Sequence, residues 1–313
     1  MRIYSQRVEN QHVANIYFIL TFNLLRINSQ LQYAMRLLIF TNRDLASNIN
    51  LNLILPHINH LVTHIFVSDK VGGKNTNPPK ELKELKFFEQ TLINDILFPQ
   101  LENQNRNFGT QYLTFNELSK KYTIPIQSLN EVKSNETLDF IRSLKPDLIL
   151  SVRYGKIFGN DFLKIPTHGV INLHSGKLPN YRGVLAVFRA LMKGDSEINA
   201  TLHYIDDKTI DTGGIIGFST LKVDKTKSLF WHIMNLYPAS TALIVENIDK
   251  ILSDSEIPTQ SGLRGGKLNT QVQNPQDAEY FTFPTQEEVA EFKAKGWSFM
   301  EVGEYETIIR QYL

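Results

Sequence analysis

The chain has 313 residues, enough for one large domain or for one domain with an appended tail. Apolar residues make up 42% and aromatic residues 11%, ample for a packed core, so a disordered chain is excluded. A formal net charge of +1 provides no global basic field to attract nucleic acid, and the absence of cysteine excludes disulfides and thiolate metal sites.

Residues 1–34 stand apart from the rest of the chain. Val13–Leu25 is apolar, but Asn15 and Asn23 interrupt it and it is shorter than the ~20 residues a membrane span needs. Arg2 and Arg7 precede this run as in a signal peptide, yet no small-x-small cleavage site comes after it. Met35 is followed at once by Arg36-Leu37-Leu38-Ile39-Phe40, a first strand, so the functional protein is expected to start at Met35 and the leader to be dispensable. A helix is then predicted over Leu45–Ile58 and a second strand over Leu61–Val67. His57, His60 and His64 raise the question of a metal, but no carboxylate is suitably spaced among them and His64 falls in the strand, so none is expected. The first strand is not followed by G-x-G-x-x-G, which argues against a dinucleotide cofactor.

Val71–Pro79 reads as a loop, and Glu81–Leu101 as a helix with Leu82, Leu85, Phe88, Leu92, Ile96 and Leu97 on its apolar face and the Phe87-Phe88 pair in the core. Short helices over Phe115–Lys121 and Asn135–Ser143 flank a strand arriving at Pro125-Ile126, and Asp147–Ser151 is a buried strand. Val184–Lys193 is a helix, Ala200–Tyr204 a strand carrying a structural His203, and Gly214–Val223 a returning strand. Ser228–Leu252 is a long helix that Pro238 should kink or split. Ser261–Lys267 is a basic glycine loop, read as a linker, and Thr285 with Glu288 forms a capping box that opens a helix to about Lys295. A last helix covers Glu304–Tyr312. Helices alternating with apolar strands imply an α/β fold: a Rossmann-like, mostly parallel sheet flanked by helices, with a small helical C-terminal extension. The expected division is a leader at 1–34, a catalytic domain at 35–255 and the extension at 256–313.

The stretch Gly169–Gly183 (GVINLHSGKLPNYRG) organises the rest. Val170-Ile171 begins a short buried strand, and Asn172 and His174, two residues apart, project from the same side of it. Turn residues come immediately after, so an amide and an imidazole stand together at the carboxyl end of a buried strand, where open α/β sheets place ligands. Further on comes Thr209-Ile210-Asp211-Thr212-Gly213-Gly214, a carboxylate in a tight loop.

N-x-H, then L-P-x-Y-R-G, then D-T-G at this separation resembles the 10-formyltetrahydrofolate-dependent formyltransferases, over roughly Arg36 to Val223 and most strongly over Leu148–Gly217. The resemblance implies 10-formyltetrahydrofolate as co-substrate and transfer of its formyl group to a primary amine through a tetrahedral oxyanion. It implies catalytic roles for Asn172 and a protonated His174 as oxyanion donors, with Asp211 holding the imidazole and relaying protons. The folate-binding loop would be Arg153-Tyr154-Gly155-Lys156-Ile157, with Asp207 as a further contact. Lys177 stands where many members have leucine, and with Tyr181 and Arg182 it would meet the acceptor. The glycine-rich loop by which glycinamide ribonucleotide formyltransferases hold a substrate phosphate is missing after the first strand; Ser47-Asn48 is a partial echo. The residues after Val223 read as helices rather than a β-barrel, which counts against tRNA. An amino sugar carried on a nucleotide is the expected acceptor, with methionyl-tRNA or another small amine, such as a hydroxyornithine-type precursor, as alternatives. A non-catalytic folate-binding protein is the reading from another class. The expected setting is cytoplasmic, without membrane or nucleic acid, with a small-molecule amine and at most a second copy of the chain as partners.

Overall fold

The computed structural model describes residues 35–69, 77–104, 106, 109, 111–253 and 279–313. The leader, most of the Val71–Pro79 loop and the Ser261–Lys267 loop lie outside the described residues. In chain order come β1 (Leu37–Asn42), α1 (Leu45–Ile58), β2 (Val62–Ser68), α2 (Lys80–Lys86), a π-helix (Phe87–Leu97), α3 (Phe98–Glu102), α4 (Phe115–Tyr122) and β3 (Ile126–Ser128). Next are α5 (Asn135–Ser143), β4 (Leu148–Val152), α6 (Asn160–Leu163), β5 (Val170–His174), β6 (Arg182–Gly183), α7 (Ala186–Lys193) and β7 (Glu197–Tyr204). The chain closes with β8 (Ile215–Lys222), α8 (Leu229–Leu252), β9 (Tyr280–Phe281), α9 (Gln286–Ala294) and α10 (Val302–Ile309).

The main sheet has the order β3-β2-β1-β4-β5-β7-β8. The strands from β3 to β5 are parallel, whereas β7 runs antiparallel to β5 and β8 antiparallel to β7. All six residues of β1 are buried, as in a parallel strand covered on both faces. Leu38 and Phe40 join Phe66 and Ile149 in a core closed by Leu138 and Ile141 of α5 and Phe158 and Phe162 beside and within α6. Leu37 and Ile39 are equally buried and point the other way, because successive strand residues alternate faces. The fold is therefore a Rossmann-like α/β sandwich, as the alternating pattern predicts.

Two elements depart from expectation. The segment after α2 is a π-helix, and its buried residues are Glu89 and Ile93, while Ile96 is 43% and Phe87 42% exposed. A π-turn holds more residues than an α-turn, so the inward face drifts along the sequence and replaces the predicted Leu92 and Ile96. Pro238, in turn, does not split α8, which runs through it for 24 residues.

The C-terminal segment is packed onto the sheet domain. The Leu229 and Phe230 amides, opening α8, donate to the carbonyls of Ser298 and Phe299. Phe292 of α9 lies 4.6 Å from Phe188 of α7, ring centre to ring centre. Tyr312 is fully buried and donates its hydroxyl to Asn48 of α1 at 2.6 Å. β9 adds to β6 as a small parallel pair, joining Arg182 with Tyr280 and Gly183 with Phe281.

Candidate functional site

The carboxyl end of β5 carries Asn172 and His174, and antiparallel β7 brings His203 directly opposite Asn172. The Asn172 amide donates to His203 Nε2 at 3.2 Å. His203 Nδ1 lies 2.8 Å from the Tyr204 carbonyl, which can only accept, so Nδ1 carries the proton and Nε2 is the acceptor. His174 Nε2 likewise lies 2.5 Å from the Tyr181 carbonyl and carries a proton. Its Nδ1 faces Asp211 Oδ2 at 3.4 Å, an arrangement complementary to a doubly protonated ring.

Asp211 is the hub. Its Oδ1 is 3.6 Å from His203 Nε2, and its Oδ2 also accepts the Gly183 amide at 2.8 Å. Burial alone would raise this carboxyl, but His174 first, then His203 and the Gly183 amide, overcome it and hold the group at about 2. The loop that delivers it is tight. Asp211 has φ +57, a left-handed conformation that Asp tolerates better than most residues. A Cβ on Gly213 would fall 1.9 Å from the Tyr204 carbonyl oxygen, so only glycine lets the loop lie against β7. Asn172, His174 and Asp211, expected from sequence, thus come together. His203, expected to be structural, joins them.

The 153–157 loop needs a correction. Arg153, at φ +59 after β4, does not offer its side chain to a ligand. Its guanidinium donates to Asp44 at 3.0 Å, Glu89 at 2.8 Å and the Tyr237 hydroxyl at 3.1 Å. Both carboxylates are buried. An arginine so enclosed is consumed in fixing the loop to α1, the π-helix and α8. Burial pushes the Glu89 carboxyl up to about 7, with the nearby Asp44 charge adding to the effect and Arg153 opposing it. Tyr154 is also partly spent on structure: its hydroxyl donates to the Leu129 carbonyl at 2.7 Å and its ring stacks on Phe158. The Gly155 amide donates to Ser68 at 2.9 Å. Lys156 is half-buried, and Ile157 is 49% exposed at the outer end of the loop.

Of the expected acceptor contacts, Lys177 is exposed, whereas Tyr181 and Arg182 are buried. The Tyr181 hydroxyl donates to Asp195 at 2.6 Å, and Arg182 Nε donates to the Ile210 carbonyl at 3.0 Å. These two therefore brace the site walls and the Asp211 loop, which corrects the reading of their side chains as open contacts. Asp207 is exposed and accepts from the Thr209 amide at 2.7 Å within its own turn.

The chain is similar to known proteins. The sequence pattern described as "Formyl transferase" matches residues 100–231, which contain Asn172, His174, His203 and Asp211. A methionyl-tRNA formyltransferase of Magnetococcus marinus is 29% identical over 153 residues, covering 49% of this chain and 49% of that protein. The bifunctional polymyxin resistance protein ArnA of Wigglesworthia glossinidia brevipalpis is 37% identical over 115 residues, 36% of this chain and 17% of that protein. The chain thus aligns with about half the length of the first of these relatives and less of the second. The solved phosphoribosylglycinamide formyltransferase of Anaplasma phagocytophilum superposes with a TM-score of 0.51 at 14% identity, over 77% of this chain and 96% of that one, a likeness of fold.

Proposed function

We propose that this chain, which belongs to the formyl transferase family through residues 100–231, transfers a formyl group from 10-formyltetrahydrofolate to a primary amine, with an amino sugar carried on a nucleotide as acceptor. The observation that carries the reading is the cluster at the end of β5, where one carboxylate faces two imidazoles and a side-chain amide. Formyl transfer develops negative charge on the formyl oxygen and moves a proton from the attacking to the leaving nitrogen. Asn172 has two amide protons and spends one on His203, which leaves a second donor for that oxygen. His174, with Nε2 on the Tyr181 carbonyl and Nδ1 facing Asp211, fixes the carboxylate at the end of β5. Asp211, ionised at any physiological pH, faces the His174 ring and supplies the fixed negative charge of the cluster. His203 orients the Asn172 amide, a positioning role. The folate ring would lie along the 153–157 loop, bounded by its backbone and by exposed Ile157.

The acceptor is argued from charge and from α1. A helix amino terminus is a ready anion site. Here the buried Asp44 carboxylate already occupies it, accepting the Ser47 amide at 2.8 Å, so a substrate phosphate is disfavoured at that end. With a net charge of +1 there is also no global field for a tRNA.

The test is to incubate the purified chain with 10-formyltetrahydrofolate and, in parallel, nucleotide-linked amino hexoses, free amino sugars, hydroxyornithine, glycinamide ribonucleotide and methionyl-tRNA. Products are read by mass. Formylated nucleotide-linked sugar is the expected product. Formylation of methionyl-tRNA alone would overturn the acceptor assignment, and no formylated amine at all would overturn the reaction.

A further inference from the structure

Strand β9 lies outside the segment that matches the family pattern, yet it pairs with β6, whose Gly183 amide holds Asp211. Phe281 is its anchor: it is buried, its ring lies under the guanidinium of Arg189 at 4.9 Å and the ammonium of Lys193 at 5.3 Å, and its carbonyl accepts the Val184 amide at 2.9 Å. Arg189 is in turn paired with Glu288 of α9. Neighbouring strand residues face opposite ways, so fastening Phe281 inward presents Tyr280 outward, where it is 43% exposed.

The Tyr280 ring does not stand on open surface. It covers Gly183, where a Cβ would meet Tyr280 Cε2 at 2.9 Å and the Phe281 carbonyl oxygen at 2.2 Å, and where φ is +94. Gly183 is the residue whose amide holds Asp211. One residue therefore separates this half-open aromatic face from the carboxylate hub. The electrostatics agree: burial first, then the Asp211 charge, raises the Tyr280 phenol, while Arg182 opposes them.

We propose that Tyr280 determines acceptor specificity, its exposed ring being the platform on which the sugar ring of the amine acceptor rests while the amine reaches the cluster at Asn172, His174 and Asp211. This rests on the formyl-transfer reading and adds to it the residue that selects a ring-bearing acceptor. A pyranose ring has an apolar C–H face that an aromatic face can cover, and a contact of that kind close to Asp211 sets where the reacting nitrogen lies.

The experiment compares wild type, Tyr280→Ala and Tyr280→Phe, all full-length, with a nucleotide-linked amino hexose as acceptor and 10-formyltetrahydrofolate as donor. Loss of a stacked ring corresponds to about a threefold to tenfold rise in acceptor KM. That rise is expected in Tyr280→Ala with donor KM unchanged, and Tyr280→Phe should stay within about twofold of wild type because the ring is retained. Inhibition by the nucleoside diphosphate alone should be unaffected. Three results would overturn the proposal: unchanged acceptor KM in Tyr280→Ala, a rise confined to donor KM, or nucleoside diphosphate inhibition weakened as much as acceptor binding. An independent arm needs no acceptor. The phenol signal of Tyr280, isolated as the difference between chains with and without Tyr280→Phe, is titrated with Asp211 intact and in Asp211→Asn. Its pKa should fall when the carboxylate charge is removed, and an unmoved titration would refute the placement. A wild type silent on every amine would take down the formyl-transfer reading, leaving the titration to decide where Tyr280 stands.

Discussion

At the scale of single residues, the site is one carboxylate facing two imidazoles, one of which orients a side-chain amide. Asn172 and His174 are legible in sequence because strand alternation sets both on one face, and the resemblance in the D-T-G loop identifies Asp211. His203 is missed for a physical reason: its partner Asn172 is thirty-one residues away across an antiparallel pairing whose register no local pattern fixes. The only available signal is alternation within β7, which places Thr201 and His203 on one face. Arg153 is misread for the opposite reason. A cation in a loop looks available, but its two buried carboxylate partners, Asp44 and Glu89, come from distant parts of the chain.

Two expectations belong at this scale. Asn172→Ala removes a donor at the developing oxyanion and should lower kcat about a hundredfold with little change in Tm, because the side chain is only partly buried. A kcat within a few-fold of wild type would remove Asn172 from the reaction. The second comes from the low Asp211 pKa. A carboxyl at about 2 in the fold and 3.8 in the unfolded chain contributes stability that is complete above pH ~4 and lost as pH falls toward 2. The contribution is about 2 kcal/mol. Urea unfolding of wild type and Asp211→Asn between pH 2 and 5 should show the gap closing as the acid carboxyl protonates, whereas parallel curves would show that the carboxylate is not held.

At the scale of elements, most boundaries are legible: α1 and α5 span the residues expected of them, and the expected capping box at Thr285/Glu288 forms. The π-helix is not legible, because its period differs from an α-helix by less than the apolar pattern of Leu82–Leu97 resolves. Its consequence is chemical, since it turns Glu89 inward onto Arg153. Because the Glu89 carboxyl is pushed up from 4.5 to about 7, the unfolded chain releases that proton first as pH rises. Stability should therefore fall between pH 4.5 and 7 by on the order of 3 kcal/mol and level off above. Glu89→Gln has no such proton, so its stability relative to wild type should improve from pH 5 to pH 8 in urea unfolding. A constant difference across that range would show that Glu89 is ionised throughout.

At the scale of the molecule, an α/β class is legible from alternation alone, whereas the position of the C-terminal segment is not. Sequence marks α9 and α10 as helices; it does not show that Phe292 closes the core beside Phe188, or that β9 reaches the site. Deleting residues 279–313 would uncover Phe188 and Phe230, both fully buried, and should yield aggregated protein without a cooperative melt. A soluble truncated chain melting near the full-length Tm would contradict that packing.

The most direct measurement is single-turnover formyl transfer by the full-length chain and by Asp211→Asn, with 10-formyltetrahydrofolate and a nucleotide-linked amino hexose, tracking formylated product by mass. Wild type should form product, and Asp211→Asn should form it about a hundredfold or more slowly while retaining its fold by thermal melt. Equal rates in the two proteins, or no product from wild type, would contradict the assignment of the Asp211 cluster as a formyl-transfer site.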